Sequence, residues 1–169
     1  GPVDFTPGVF DLLFKGEEDP SRIRTTIAKQ LALMVVLYSP LQMAADLPRN
    51  YEEKPDLFQF IKDVPADWQE SLPLDGDIGE FVVYARQQRD SDNWFVGGIT
   101  NEEPREFELN FDFLDEGDYL ATVYRDGADA DWESNPYSAV VESLAVNNQS
   151  ALSIDMAPGG GFAISIIKR

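Results

Sequence analysis

Cysteine and histidine are both absent from the 169 residues. Without cysteine there is no disulfide framework and no thiolate nucleophile. Without histidine the chain lacks the side chain most used as a neutral-pH base and transition-metal ligand. A self-contained Ser-His-Asp or Cys-His catalyst is therefore excluded. Positive charge is scarce too: 13 Lys plus Arg stand against 31 Asp plus Glu, a formal net charge of −18. A nucleic-acid groove and an anionic membrane surface both need clustered cations, so these partners are disfavoured. The surplus acid reads as a well-solvated surface, the alternatives being hard-cation binding or adaptation to salt. No basic n-region followed by an apolar h-region opens the chain. The one long apolar stretch, Ile27 to Tyr38, is interrupted by Lys29 and Gln30 and falls short of the ~20 residues that span a bilayer.

What is present is globular in composition, with 43% hydrophobic and 12% aromatic residues, enough to bury a core in one or two domains. Periodicity divides the chain. Residues 1–70 read as α/β. Val3–Phe5 predicts a short strand leaving into the Thr6-Pro7-Gly8 turn, and Arg24–Tyr38 predicts a helix. That helix is apolar on nearly all faces and has to pack between layers. Ser39-Pro40 stops it; Leu41–Ala45 then reads as a short buried strand ending at Asp46, and Asp56–Lys62 as a second helix. Strand, helix, strand, helix is the pattern of a parallel sheet with crossover helices. Two strands cannot make such a sheet alone, because both faces and both edges need cover.

From about residue 74 the period switches to two. Strands are expected at Glu80–Arg89, Asn93–Thr100, Arg105–Phe111, Tyr119–Arg125, Val140–Val146, Ala151–Asp155 and Gly161–Ile167, separated by turn clusters. Short strands without a long helix indicate an antiparallel sandwich or meander.

Several segments carry a family resemblance. They include Gly1-Pro2-Val3-Asp4-Phe5-Thr6-Pro7-Gly8-Val9-Phe10, Thr25-Thr26-Ile27-Ala28-Lys29-Gln30-Leu31 and Tyr38-Ser39-Pro40-Leu41-Gln42-Met43-Ala44-Ala45-Asp46-Leu47. Phe58-Gln59-Phe60-Ile61-Lys62-Asp63-Val64-Pro65, Asp92-Asn93-Trp94-Phe95-Val96-Gly97-Gly98, Tyr124-Arg125-Asp126-Gly127 and Ala157-Pro158-Gly159-Gly160-Gly161-Phe162 follow in order. Together they resemble the C-terminal third of glycoside hydrolase family 97, bacterial exo-acting α-glucosidases and α-galactosidases; Val3 stands where that family usually has Met. The resemblance implies that residues 1–73 are the last two β/α units of a (β/α)8 barrel and residues 74–169 an antiparallel β-sandwich. It implies calcium in the whole enzyme, held by glutamates that precede this sequence, as do the acid, base and nucleophile. It also implies a glycoside or oligosaccharide substrate and a periplasmic or cell-surface location. The chain alone is expected to be inactive and to contribute no metal ligand.

Glycoside hydrolysis needs two positioned carboxyl groups, and a β/α barrel works at the C-terminal ends of its strands. Those ends carry Asp4 and Thr6 after one strand and Asp46 after the other. Asp4 and Asp46 either bind sugar hydroxyls or orient catalytic groups, or each simply caps a loop or helix. Gln42 is a weaker candidate of unknown register. Asp126, Asp129, Asp131 and Glu133 lack the alternate-position spacing of an EF-hand and read as a solvated turn. Trp68, Trp94 and Trp132 are candidate sugar platforms, though a buried anchor is the commoner use; Trp94, inside a strand run, reads as core, and Trp132 as the better platform candidate. Pro158-Gly159-Gly160-Gly161 lacks the lysine and helix of a phosphate loop and reads as a tight turn. A rival to the enzyme-fragment reading is a non-catalytic carbohydrate-binding sandwich, which an exposed aromatic strip would favour; a stand-alone α/β layer on a sandwich is a third. With barrel neighbours missing, the Arg24–Tyr38 helix is expected to be partly bare or covered by another copy, promoting self-association.

Overall fold

Apolar residues alternate with polar ones along most of the second half, and the computed structural model turns that alternation into strands. It describes residues 4–14, 16 and 21–169. Seven strands fall where the period predicts them: β2 (Phe81–Gln88), β3 (Trp94–Thr100), β4 (Arg105–Asn110), β5 (Tyr119–Asp126), β6 (Ala139–Val146), β7 (Ala151–Met156) and β8 (Gly161–Lys168). An eighth, β1 (Trp68–Asp77), precedes them where no strand is expected. Pro73 and the Asp75-Gly76-Asp77 run hide it, and both are tolerated because β1 is an edge strand whose register with β2 slips twice. The sheet runs β1-β2-β3-β8-β5-β6 with antiparallel neighbours throughout, and β4 and β7 pair as a second, two-stranded sheet.

Between the sheets lies one apolar core. Val83, Val96, Ala121, Val123, Phe162 and Ile164 from the large sheet meet Leu109, Ile154 and Met156 from the small one. Trp94 belongs to it, with its ring 5.0 Å from that of Phe113. The other face of the large sheet is equally apolar at its centre, where Phe95, Tyr124 and Ala163 join a second core with the helical segment. β3 and β8 are thus buried on both faces, which is why they read as near-continuous apolar runs.

The helical segment contributes α1 (Ile27–Val36), α2 (Pro48–Glu52) and α3 (Pro55–Asp63). α1 is shorter at both ends than the periodicity suggests. Thr26, extended, caps the N-terminus by accepting from Lys29 N–H at 3.3 Å, and Leu37 leaves the helix into an extended conformation ahead of Ser39-Pro40. The helix is bare only in part: Ile27, Ala28, Leu31, Ala32 and Val35 are fully buried, whereas Leu37 and Tyr38 at the end of the predicted span are 40% and 41% exposed. The chain's own β-sheet covers it, an arrangement that a pattern read one segment at a time does not reveal. Close approach requires Gly97, because a Cβ there would lie 2.7 Å from the Ala32 carbonyl oxygen and 2.9 Å from Val35 Cβ. Arg86, itself buried, reaches from β2 to the far end of α1. Its Nε donates to Val35 O at 2.6 Å and Nη2 to Val36 O at 3.3 Å. α1 has no basic residue in its last turn, so Arg86 supplies the cation that the helix C-terminus favours.

Of the two expected parallel strands, one bridge is described, Phe5 opposite Gln42 in parallel register; Val3 lies outside the described residues. Leu41–Ala45 is not the buried strand expected. Leu41 and Met43 are 55% and 46% exposed, since the bridge is the segment's only described sheet partner. Phe14, Leu37, Tyr38 and Leu47 are exposed as well.

Candidate functional site

The Phe5–Gln42 bridge sets the geometry of the first candidate region, because Asp4 and Thr6 flank one bridge residue and Asp46 follows the other by one turn of chain. Asp4 and Thr6 are exposed. Asp46 is engaged from all sides. Its Oδ2 accepts from the N–H groups of Phe10 and Asp11, both at 2.7 Å, and its Oδ1 from Leu47 N–H at 2.7 Å and Asn50 Nδ2 at 2.5 Å. Burial works to raise its pKa, and the donors of Asp11, Leu47, Asn50 and Phe10 outweigh it, so the carboxyl sits below its usual range. Four protein donors make Asp46 the organiser that ties the 8–11 loop to the start of α2, the arrangement of a loop cap. Tyr51 completes the tie: its hydroxyl donates to Gly8 O at 2.8 Å and accepts from Asp46 N–H at 3.0 Å. Its ring stacks on Phe58 at 4.6 Å and meets Phe10 edge-on at 4.9 Å. Nothing in the periodicity singles out Tyr51. Gln42 turns its amide to α1, donating to Met34 O at 2.9 Å.

A second polar cluster sits at the other end of α1. Asp126, 3% exposed at the end of β5, accepts through Oδ2 from Ala157 N–H at 2.9 Å and Gly161 N–H at 2.8 Å. It thereby clamps the Pro158–Gly160 turn, whose Gly160 leaves no room for a Cβ beside that carboxylate. Burial pushes its pKa up to about 6, opposed by the Thr26 hydroxyl, the two N–H groups and the Lys29 ammonium. Lys29 is lowered by burial, with Glu102 and Asp126 opposing, and its Nζ donates to Thr100 O at 2.6 Å. Asp126 is thus separated from its acidic neighbours. Asp131 instead accepts from Glu133 and Ser134 N–H, both 2.8 Å, and Asp129 from Asn135 and Ser138. Trp132 is no open platform: its indole packs on the Gly159 backbone, with Arg22 and Arg24 at 5.7 and 5.8 Å from the ring centre. Trp68 is buried against Phe95.

Beside Lys29 opens a cleft of about 640 Å3 between α1 and the β1–β2 hairpin, with a mainly apolar floor. Neither it nor the strand-end region brings two free carboxylates together in a buried setting, so no acid–base pair for glycoside cleavage is assembled among the described residues.

Residues 67–167 match the family described as glycosyl-hydrolase 97 C-terminal, oligomerisation. The chain belongs to glycoside hydrolase family 97. It is 39% identical over 170 residues to a retaining alpha-galactosidase of Bacteroides thetaiotaomicron, an alignment covering 98% of this chain and 25% of that protein. A probable retaining alpha-galactosidase of Streptomyces bingchenggensis is 30% identical, covering 96% and 23%. Among solved structures, a family 97 enzyme from Pseudoalteromonas in complex with acarbose superposes at a TM-score of 0.96 with 49% identity, covering 100% of this chain and 27% of that one. The chain therefore spans about a quarter of the length of its family 97 relatives. The family 97 match opens at Asp67, where the chain leaves α3 and enters β1. Asp67 pairs there with Arg89, just past β2, at 2.6 Å.

Proposed function

We propose that this chain is the C-terminal portion of an exo-acting glycoside hydrolase that removes terminal α-linked hexoses, and that it is inactive alone. In this reading the segment before the β-domain, ended at residue 73 by the periodicity and at Asp67 by the family match, supplies the last two β/α units of the catalytic barrel, and the β-domain braces them from outside. The observation that carries it is the agreement over the whole chain with a quarter of a family 97 enzyme, together with the parallel Phe5–Gln42 bridge joined through α1. The first choice of substrate is an α-glucoside, because the 49% identical enzyme is also known in complex with panose, a trisaccharide of α-linked glucose. An α-galactoside is the second, favoured by the 39% and 30% identical relatives. Asp4 and Thr6 would reach the sugar or the groups that do, and Asp46 would hold the loop that positions them.

The residues present do not fit the calcium centre implied by the family resemblance, since no three acidic side chains converge among those described. We assign that ion to the preceding part of the enzyme, and place the enzyme in the periplasm or at the cell surface. The test is hydrolysis of p-nitrophenyl α-glucoside and α-galactoside, with and without calcium, by these 169 residues and by a polypeptide extended upstream through the barrel. Activity in the longer polypeptide alone is expected. Activity in the short chain would overturn the reading.

A further inference from the structure

The large sheet ends in two edges built to different rules. β1 is blunted: Pro73 interrupts it, its register with β2 slips twice, and Asp75 and Asp77 charge its end. β6 carries none of these features. Its residues, Ala-Val-Val-Glu-Ser-Leu-Ala-Val, hold an unbroken register with β5 from Ala139 to Val146, without proline, glycine or lysine. Val141, Glu142, Ser143 and Ala145 are exposed, Val141 by 40%. β5 is the only strand beside it, and among the described residues no backbone hydrogen bond is made along its other side. The strands of the small sheet are shorter and carry acid, Glu106 and Glu108 on β4 and Asp155 on β7. A long, regular edge with open N–H and C=O groups is a template for another strand.

Charge and symmetry select the occupant. Each copy of the chain carries −18, so two copies meet without repulsion only where acid is sparse or already paired. Glu142 is the one charge on β6, and Arg125 of the same chain pairs with it at 2.7 Å. The matched family description includes oligomerisation and spans the whole of β6, without naming a surface. We propose that β6 pairs antiparallel with β6 of a second copy across a two-fold axis, joining the two six-stranded sheets into one continuous sheet. An axis normal to the sheet keeps each residue on its own face, and partners across an antiparallel pair share a face. The axis therefore passes between one residue and its own copy. At Glu142 it would set like charges directly opposite, which destabilises a pair. At Ser143, the centre of the exposed stretch, it sets Val141 against Ala145 and Leu144 against Glu142. The overlap from Val140 to Val146 gives about six to eight interchain hydrogen bonds on the antiparallel pattern, within the ~10 ± 5 of a typical interface.

Two measurements test this. The 169-residue chain has no cysteine, so one introduced thiol reports the axis. Ser143→Cys sets two Cα atoms about 4.5–5.5 Å apart across the pair, within the reach of a disulfide. Under mild oxidation it is expected to form an interchain disulfide faster than Glu70→Cys on β1 by about tenfold or more, the effect of holding two thiols together. The second measurement is light scattering on the longer family 97 polypeptide, expected to be a dimer. Val141→Lys with Ala145→Lys, at exposed positions, puts lysine opposite lysine across the axis. It is expected to halve the mass and leave the far-UV circular dichroism unchanged. A monomeric parent, its β6 covered by a strand from elsewhere in the enzyme, overturns the proposal. A dimer that keeps its mass with the paired lysines is held by another surface and overturns it too. So does Ser143→Cys crosslinking no faster than Glu70→Cys, and this comparison decides alone if the lysines unfold the chain.

Discussion

Substituting Gly97 by alanine sets two effects of opposite sign against each other. In open space a glycine-to-alanine change at negative φ stabilises by about 0.4–1 kcal/mol, because it restricts the unfolded chain. Here the added Cβ meets Ala32 O at 2.7 Å, Val35 Cβ at 2.9 Å and Val36 Cγ2 at 3.2 Å. The first contact is backbone, so no rotamer change relieves it, and α1 has to lift from β3 by a sizeable fraction of an ångström. A gap of about 0.5–1 Å forfeits a quarter to a half of the dispersion energy along a contact, and overpacking of this kind costs about 1–3 kcal/mol. Overpacking outweighs the entropic gain. Gly97→Ala should destabilise by about 1–2 kcal/mol and lower Tm by roughly 3–6 °C for a domain of this size, followed by far-UV circular dichroism on heating. An unchanged or raised Tm would refute the claim that α1 sits directly on the sheet at this point.

Two carboxylates should give opposite pH signatures. Asp126 titrates near 6 in the folded chain against 3.8 for the free side chain, so the folded state binds the extra proton between those values and stability rises as pH falls from 7 toward 4. The gain is about 2–3 kcal/mol; Asp126→Asn should flatten that limb of the denaturation-versus-pH curve, and curves of equal slope would contradict the buried, ionised clamp. Asp46 is depressed below its usual pKa, so its contribution is complete above the ordinary carboxylate range and is lost as pH falls through the folded value. Asp46→Ala strands the N–H groups of Phe10, Asp11 and Leu47 and should cost about 1–3 kcal/mol at neutral pH, with the loss shrinking in acid. A variant as stable as the parent at pH 7 in urea titration would show that Asp46 is not what holds the 8–11 loop.

Most strand positions from Phe81 onward were legible, because alternating burial imposes a period of two on any strand with two differently solvated faces. The end of α1 was legible as well, since Pro40 forbids its continuation. The short α2 and the edge strand β1 were not. Five residues are too few to show a period, and an edge strand tolerates the proline and bulges that read as a loop. Asp4, Thr6 and Asp46 were singled out by their place at strand ends, and of these Asp46 proves to hold a loop. Asp126 was dismissed as part of an acidic run, because burial is a property of the assembled fold and not of a string of charges.

By itself the sequence determined a helix-bearing segment followed by a β-rich one and, through its composition, the absence of any cysteine or histidine chemistry. Only the tertiary structure decided that α1 is shared by two layers, that Arg86 and Gly97 join them, and that Asp46 is committed to a loop. The physical reason is range. Patterning, capping and proline act over a few neighbours along the chain. Burial of Asp126 and the fit of α1 against β3 depend on residues tens of positions apart, which meet only when the sheet has formed.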